Sequence, residues 1–306
     1  MKKNGMKRRH QDYTRISKGP NIVLNIVMIV FSAICILPLL LVFMVSITDN
    51  KEVLVNGFSF FPKKITFSAY KYIFESSDVI GKAYLNSTVV TLAGSFLSLV
   101  IITFYAYAIS RNEFRYKKFF SMLVIFSFIF NPGMVPWYYV YTNVLHVQNT
   151  YYALILPYLM TPLYVLIMRT FFIQTVPNEI LEAAKIDGAS EMRIFLKIAV
   201  PLAKPALATI GLFNVLQYWN DWFSPMMFIT DKKYYTLQYL LYKIDQNIIY
   251  LTRNSQSVDL SAALSNLPSQ TARMAIAIIV IGPIVFAYGF FQRYFIEGIT
   301  IGSVKG

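Results

Sequence analysis

The sequence predicts an all-α integral membrane protein of six transmembrane helices, with a helix–turn–helix in one cytoplasmic loop. Three observations predict it. Of the 306 residues, 56% are hydrophobic and only 14% are charged, where a soluble domain carries about 25% charged residues. The deficit is concentrated in long windows with no charge at all, which separates a membrane chain from an apolar soluble one. The formal net charge of +13 comes from Lys and Arg at the ends of those windows. That placement is the positive-inside bias of membrane proteins. It is not the clustered basic face of a nucleic-acid binder, so no nucleic-acid partner is expected.

The elements follow in order. Residues 1–18 hold Lys2, Lys3, Lys7, Arg8, Arg9, Arg15 and Lys18 against Asp12, a basic cytoplasmic N-terminus. Gly19 to Thr48 has no charge. This run is about twice the apolar core of a signal peptide and shows no small-residue cleavage site, so it reads as span one, roughly 22–47. About 20 residues at about 1.5 Å each cross a hydrocarbon core of about 30 Å. Ala83 to Ser110 supplies span two, roughly 84–110, followed by Arg111, Arg115, Lys117 and Lys118 with Glu113. Phe119 to Met168 lacks acids, Lys and Arg, and is long enough for two spans, roughly 119–142 and 152–174. The break falls at Asn143–Thr150, where Asn143, His146, Gln148, Asn149 and Thr150 cluster. Asn131-Pro132-Gly133 and Pro136 remove backbone donors and should kink or interrupt span three. Trp137, Tyr138, Tyr139, Tyr141, Tyr151 and Tyr152 flank the turn, as rings with a polar edge do at headgroup level. Span five runs roughly 205–229 and span six roughly 272–292, with a polar stretch, 231–270, between them and a short tail after.

Six spans place both termini on one side. The basic N-terminus and the Arg111–Lys118 loop lie on alternate crossings, so both are expected in the cytoplasm. Segments 49–82 and 231–270 are then external, and 173–204 is cytoplasmic by parity. The last carries four acids and four bases, so its own charge says nothing about sidedness.

Residues 177–205 read PNEILEAAKIDGASEMRIFLKIAVPLAKP. Pro177 suits a first helical turn. Glu179 and Glu182 sit early, where the helix dipole favours acids. Asp187-Gly188 signals a turn, with Gly188 free to adopt positive φ. Ser190 can cap a second helix running to about Ile198, which Pro201 and Pro205 end before span five. Ala183 and Ala184 are small enough to let another protein approach the first helix closely. Glu182-Ala183-Ala184, Asp187-Gly188-Ala189, Phe195, Ile198, Pro201 and Pro205 resemble the EAA loop of ABC importer permeases. The tail supports the same family: Gln292-Arg293-Tyr294-Phe295, Gly298 and Gly302-Ser303-Val304-Lys305-Gly306 are similar to the end of maltose-permease-type sugar permeases, with Ser303 where alanine is usual.

The resemblance covers nearly the whole chain and looks closest to the branch handling oligosaccharides or complex glycans. It implies a permease subunit in a bacterial cell membrane, paired with a second permease and two ATP-binding-cassette ATPase subunits, and fed with a sugar by an external solute-binding protein or lipoprotein. It also implies that 177–205 is a coupling loop, with Glu182, Ala183, Ala184, Asp187, Gly188 and Ala189 docking on an ATPase and Glu182 pairing with a base there.

In span five, Asn214, Gln217, Tyr218 and Asp221 recur at i, i+3, i+4 and i+7, one helical face. An Asp at a span centre costs about 2.5–3.5 kcal/mol against lipid, so the stripe should face the pore or the partner permease. With Trp219 and Trp222 beside Tyr218 it suits a sugar path; interhelical hydrogen bonding between permeases suits it equally. Asn131 and Thr161 are weaker candidates.

Other classes fit less well. The chain has no Gly-rich phosphate loop ending in Gly-Lys-Ser/Thr and no catalytic arrangement in a polar domain, so it is not expected to be an enzyme or to hold a cofactor. Cys35 is the one cysteine, and His10 and His146 are far apart, so no disulfide framework or metal site is expected. A stand-alone secondary transporter or channel for a small polar solute is the alternative, but it has no need of a docking loop. A receptor would need a sizeable extramembrane domain.

Overall fold

The computed structural model describes residues 18–75, 77–253 and 269–303. The basic N-terminus and tail residues Val304, Lys305 and Gly306 lie outside the described residues. The described chain is helical, with a single β-bridge between Thr48 and Ile65.

Helix α1 (Lys18–Ser46) turns large apolar side chains outward all round, Ile29 at 67% exposed and Phe31 at 65%. In water such a surface would drive aggregation; lipid is the solvent it suits. Two short helices follow, α2 (Asn50–Asn56) and α3 (Ser68–Glu75). The Asp49 side chain accepts from Lys51 N at the start of α2 and pairs with Lys64 at 2.8 Å. Helix α4 (Ser77–Ser110) is the central column. Among the described residues, only α1 and α4 contain an unbroken stretch long and apolar enough to cross a membrane.

The remaining apolar segments are broken. Helix α5 (Lys117–Ile129) meets α6 (Met134–Tyr139), which a π turn extends to Val144, at a bend of 115°. The bend sits at the predicted Asn131-Pro132-Gly133, where Gly133 has φ +82 and the Asn131 side chain accepts from Gly133 N at 2.9 Å. Helix α7 (Tyr151–Ile155), carried on by a 3₁₀ turn to Tyr158, meets α8 (Pro162–Thr175) at 47°. Next come α9 (Asn178–Ile186), α10 (Glu191–Ile194), a π turn Phe195–Ala199 and α11 (Val200–Leu202). That run bends 79° into α12 (Lys204–Trp219). The chain closes with α13 (Phe223–Phe228), α14 (Leu237–Arg253) and α15 (Ser269–Ser303).

Three expectations change. Pro201 does not end the second helix of the 177–205 segment: the preceding π turn relaxes the helical ladder, and the chain stays helical to Leu202. The continuous helix expected over 205–229 stops at Trp219, because Asp221 folds back to bond the backbone of the next helix. Helix α15 runs well past 292, so the tail expected to be short and separate continues the helix to Ser303.

Contacts along α4 fix directions. The Tyr151 hydroxyl donates to Asn86 Oδ1 at 2.7 Å, Ser98 Oγ to the Tyr158 carbonyl at 3.2 Å, and Arg169 Nε to the Ile109 carbonyl at 3.4 Å. Both sequence positions rise together, so α4 and α7–α8 run parallel. The 111–118 loop and the 177–190 segment therefore lie at one end of the bundle. The opposite end holds 231–237, where Asn86 Nδ2 donates to the Lys233 and Tyr235 carbonyls and Leu237 N donates to Ser87 Oγ.

Helix α12 packs closely on α4 because Gly94 has no side chain. A Cβ there would lie 2.6 Å from Tyr218 Cζ. That ring is held by its hydroxyl, which donates to the Ile155 carbonyl at 2.7 Å. Small residues at helix seams serve this purpose in membranes, where backbone proximity replaces hydrophobic driving force.

Candidate functional site

Helix α9 is attached to the bundle chiefly by Leu181, buried among Phe172, Val176 and Ile194. Pro177 takes the cap position before the helix rather than its first turn, and gives no side-chain cap. The helix ends in a Schellman motif: Ala189 N donates to the Ala184 carbonyl at 2.9 Å and Gly188 N to the Lys185 carbonyl at 2.9 Å. Gly188 sits at φ +77. Ser190 then caps α10, its Oγ accepting from Arg193 N at 3.4 Å.

The predicted coupling residues divide. Glu182, Ala183, Asp187 and Gly188 are exposed, whereas Ala184 and Ala189 are partly buried and pack on the bundle's own core. The sequence reading missed Ile186, which is 87% exposed, and Met192 and Leu196, each 54% exposed. All three are large apolar side chains set among the charged residues of this element. The signal was present in the sequence, since Ile186 stands three residues beyond Ala183 and so shares its face.

Nothing surrounds Gly188 within 4 Å of a hypothetical Cβ, so the cost of a side chain there is purely conformational. Gly188→Val is expected to destabilise the turn by about 1–2 kcal/mol without a clash. Faster proteolysis at residues 187–190 in the intact complex would record it.

An ion-pair network ties this element to α4. Lys185 Nζ pairs with Glu191 at 2.8 Å and with Glu113. The Tyr107 hydroxyl donates to Glu191 Oε2 at 3.1 Å. Burial raises the Glu191 carboxyl, but hydrogen bonds from Lys185 and Tyr107 outweigh it, so it titrates below the ordinary glutamate range. Bonds to Glu113 and Glu191 hold the Lys185 ammonium above its ordinary value. A depressed carboxyl contributes stability above its unfolded pKa and loses it as pH falls through the folded one. A raised ammonium keeps its contribution until pH climbs through the folded value. The clamp should therefore persist from below the usual glutamate range to above the usual lysine range. Lys185 is 31% exposed and both carboxylates 53%, so water screens the clamp and it is worth at most about 1 kcal/mol. Glu191→Gln should remove the acid limb of a proteolysis-versus-pH profile.

The span-five residues are not one stripe. Asn214 is fully buried and Tyr218 is 3% exposed; both sit inside this subunit's own bundle, on the face that α12 lays on α4. Both amide atoms of Asn214 and Oε1 of Gln217 are buried without a protein hydrogen-bond partner, as are Thr91 Oγ1 and Ser95 Oγ on α4. Asp221 lies beyond the end of α12. Its Oδ1 accepts from Phe223 N at 3.1 Å, Ser224 N at 3.0 Å and the Tyr158 hydroxyl at 3.1 Å. It thus serves the first turn of α13, as acidic residues do at helix starts.

Tyr158 also lines an open cavity of about 510 Å³ at the α5–α6 elbow, with Asn131, Gly133, Trp137 and Phe223. Trp137 and Phe223 are stacked at 5.9 Å with 7° between planes. Among the described residues no cluster of His, Cys, Asp or Glu could hold a metal ion.

A bundle of broken apolar helices, with a charged helix–turn–helix projecting from one end, is the architecture of a membrane transport subunit. A sequence profile of the family "Binding-protein-dependent transport system inner membrane component" matches residues 114–301. The chain belongs to this family and is a permease subunit of an ABC importer. Among curated relatives, it is 34% identical over 281 residues to the polygalacturonan/rhamnogalacturonan transport system permease protein YtcP of Bacillus subtilis, covering 91% of this chain and 96% of that one. It is 35% identical to protein LplC of the same organism, covering 90% of each. It is 31% identical to the arabinooligosaccharides transport system permease protein AraQ of Halalkalibacterium halodurans, covering 89% of this chain and 92% of the relative. Among solved structures, a chain of a bacterial ABC transporter involved in the import of the acidic polysaccharide alginate superposes with a TM-score of 0.77 at 27% identity, over 92% of this chain and 99% of that one. Family membership sets aside the stand-alone transporter or channel.

Proposed function

We propose that this subunit crosses the membrane six times with both termini in the cytoplasm, and that with a second permease it forms the path for an oligosaccharide. An external solute-binding protein delivers the sugar, and two separate ATPase subunits drive the cycle. The observation that carries the reading is the exposed α9–α10 element. It is held to the bundle by the buried Leu181 of α9 and Ile194 of α10 and by an ion-pair clamp, and it presents Glu182, Ala183, Ile186 and Asp187 outward. A helix tip packed into the core of the spans can transmit the closure of a partner to them.

The count of six takes α1 and α4 as one crossing each, each of the three bent pairs as one more, and the apolar Gln270–Val285 part of α15 as the last. The 177–205 segment shares an end with the basic 111–118 loop, which the positive-inside bias assigns to the cytoplasm. The substrate class is carried over from relatives whose names specify oligo- and polysaccharides. The elbow cavity suits such a ligand: the stacked Trp137 and Phe223 offer apolar ring faces, and Asn131 and Tyr158 offer hydrogen bonds. We assign this cavity, rather than the buried Asn214 face, to the sugar path, and Asn214 and Gln217 to the α4–α12 seam. Trp137→Ala should lower uptake of labelled oligosaccharide about tenfold, the equivalent of one lost aromatic contact. Purification of the tagged chain from its host tests the assembly: an ATPase and a second permease should accompany it.

A further inference from the structure

We propose that the cavity between the α4–α5 loop and the start of α9 binds a phosphate-bearing group. The inference rests on the reading above only in setting this end of the bundle at the inner membrane face. The cavity holds about 80 Å³, room for several waters and so for one phosphate. Its polar wall consists of Ser110, Arg111, Asn112, Lys117 and Asn178.

Arg111 is only partly satisfied by its neighbours. Its side chain is only 10% exposed, and its Nε is buried with no hydrogen-bond partner. Its guanidinium lies 5.8 Å over the Tyr107 ring, and its nearest carboxylate oxygen, on Glu113, is 3.8 Å away, too far for a hydrogen bond. The Nε is closed to solvent, so an anion in the cavity would meet the guanidinium at its terminal nitrogens, where charge-assisted hydrogen bonds are strongest. The acids nearby are already engaged: Glu113 and Glu191 both pair with Lys185. Lys117, whose Nζ donates to Asn112 Oδ1 at 2.8 Å and to the Ser110 carbonyl at 3.5 Å, leaves the pocket with surplus positive charge. Helices α5 and α9 also begin here, neither capped by a side chain, so both present N-terminal dipole ends to an anion.

The group can come from an anionic phospholipid headgroup or from soluble phosphate. The apolar wall favours the lipid. Phe172 and Val176 are buried there, while Ile173 is 51% exposed and leads outward, where an acyl chain would run. Basic pockets on the cytoplasmic side of membrane bundles hold lipid headgroups by this combination. A ligand bridging Arg111 and the first turn of α9 would brace the 177–190 element against α4, so the lipid composition of the inner leaflet would tune coupling.

The test uses the complete importer complex. Bound phospholipid is counted by native mass spectrometry after exchange into phosphatidylcholine vesicles, with and without phosphatidylglycerol, and inorganic phosphate is titrated separately. Wild type should retain phosphatidylglycerol selectively. Arg111→Gln with Lys117→Gln should weaken that retention on the order of tenfold or more, and Arg111→Lys should retain part of it. Should the double variant fail to assemble, Arg111→Lys and Asn178→Ala carry the same comparison. Phosphatidylglycerol retention insensitive to added phosphate assigns the lipid. Saturable binding of inorganic phosphate through the same residues, with no lipid selectivity, assigns soluble phosphate. Equal lipid retention in wild type and variants, together with no phosphate binding, overturns the site. The lipid count does not depend on transport, whereas failure of the importer reading would appear as an absent ATPase.

Discussion

Glu182→Lys is expected to abolish substrate uptake while the chain accumulates in the membrane at its normal level. Glu182 is exposed on α9 and forms no hydrogen bond or ion pair among the described residues, so reversing its charge is expected to leave the fold intact. Its proposed partner is a basic residue on the ATPase, and reversal would set like charges together in a desolvated contact. Losing one member of such a pair costs about 2–5 kcal/mol, a fall of roughly 30-fold or more in association. Ile186→Asp should act similarly by placing a charge in the apolar part of the same surface. Uptake, membrane level and ATPase co-purification measured together separate a docking defect from a folding one. Wild-type uptake by Glu182→Lys would remove Glu182 from the docking surface.

Gly94→Leu is expected to prevent accumulation of the folded subunit. Even a methyl at this position meets Tyr218 at 2.6 Å. The ring cannot swing aside, because its hydroxyl is held on the Ile155 carbonyl and Tyr158 lies edge-on at 5.6 Å. Overpacking of a confined site costs typically about 1–3 kcal/mol, and here the whole α4–α12 seam would have to open. Gly94→Ala should show the smaller form of the same defect as a lowered melting temperature of the purified complex. In a Tyr218→Ala background, Gly94→Ala should cause no further loss, because the atoms in conflict are gone. A complex carrying Gly94→Leu with wild-type thermal stability would contradict this account of the seam.

Much of the fold was legible because it rests on charge exclusion and proline chemistry. The charge-free windows located the apolar segments, Pro132-Gly133 located the sharpest elbow, and Asp187-Gly188 with Ser190 located the turn of the helix–turn–helix. The remainder depends on contacts between distant positions. Periodicity placed Asp221 on a helical face, but its carboxylate finds nearer backbone donors at Phe223 and Ser224 and joins the start of α13. The same periodicity put Asn214 and Tyr218 on one face correctly. It could not say that the face meets α4, since that follows from Gly94, more than a hundred residues earlier. The Lys185–Glu113 pair and the burial of Arg111 beside Leu181 and Asn178 likewise arise only when the α4–α5 loop and α9 meet at one end of the bundle.

The location and contact of Ile186 test the central claim most directly. Cys35 is the one cysteine in the chain, so Cys35→Ser with Ile186→Cys gives a single reporter thiol. A membrane-impermeant maleimide should label it in inside-out vesicles and not in intact cells. Oxidative cross-linking should join it to an ATPase subunit carrying a cysteine in its docking cleft, with a yield that changes when ATP is bound. Labelling in intact cells, with no cross-link in either nucleotide state, would contradict a coupling element at the inner face.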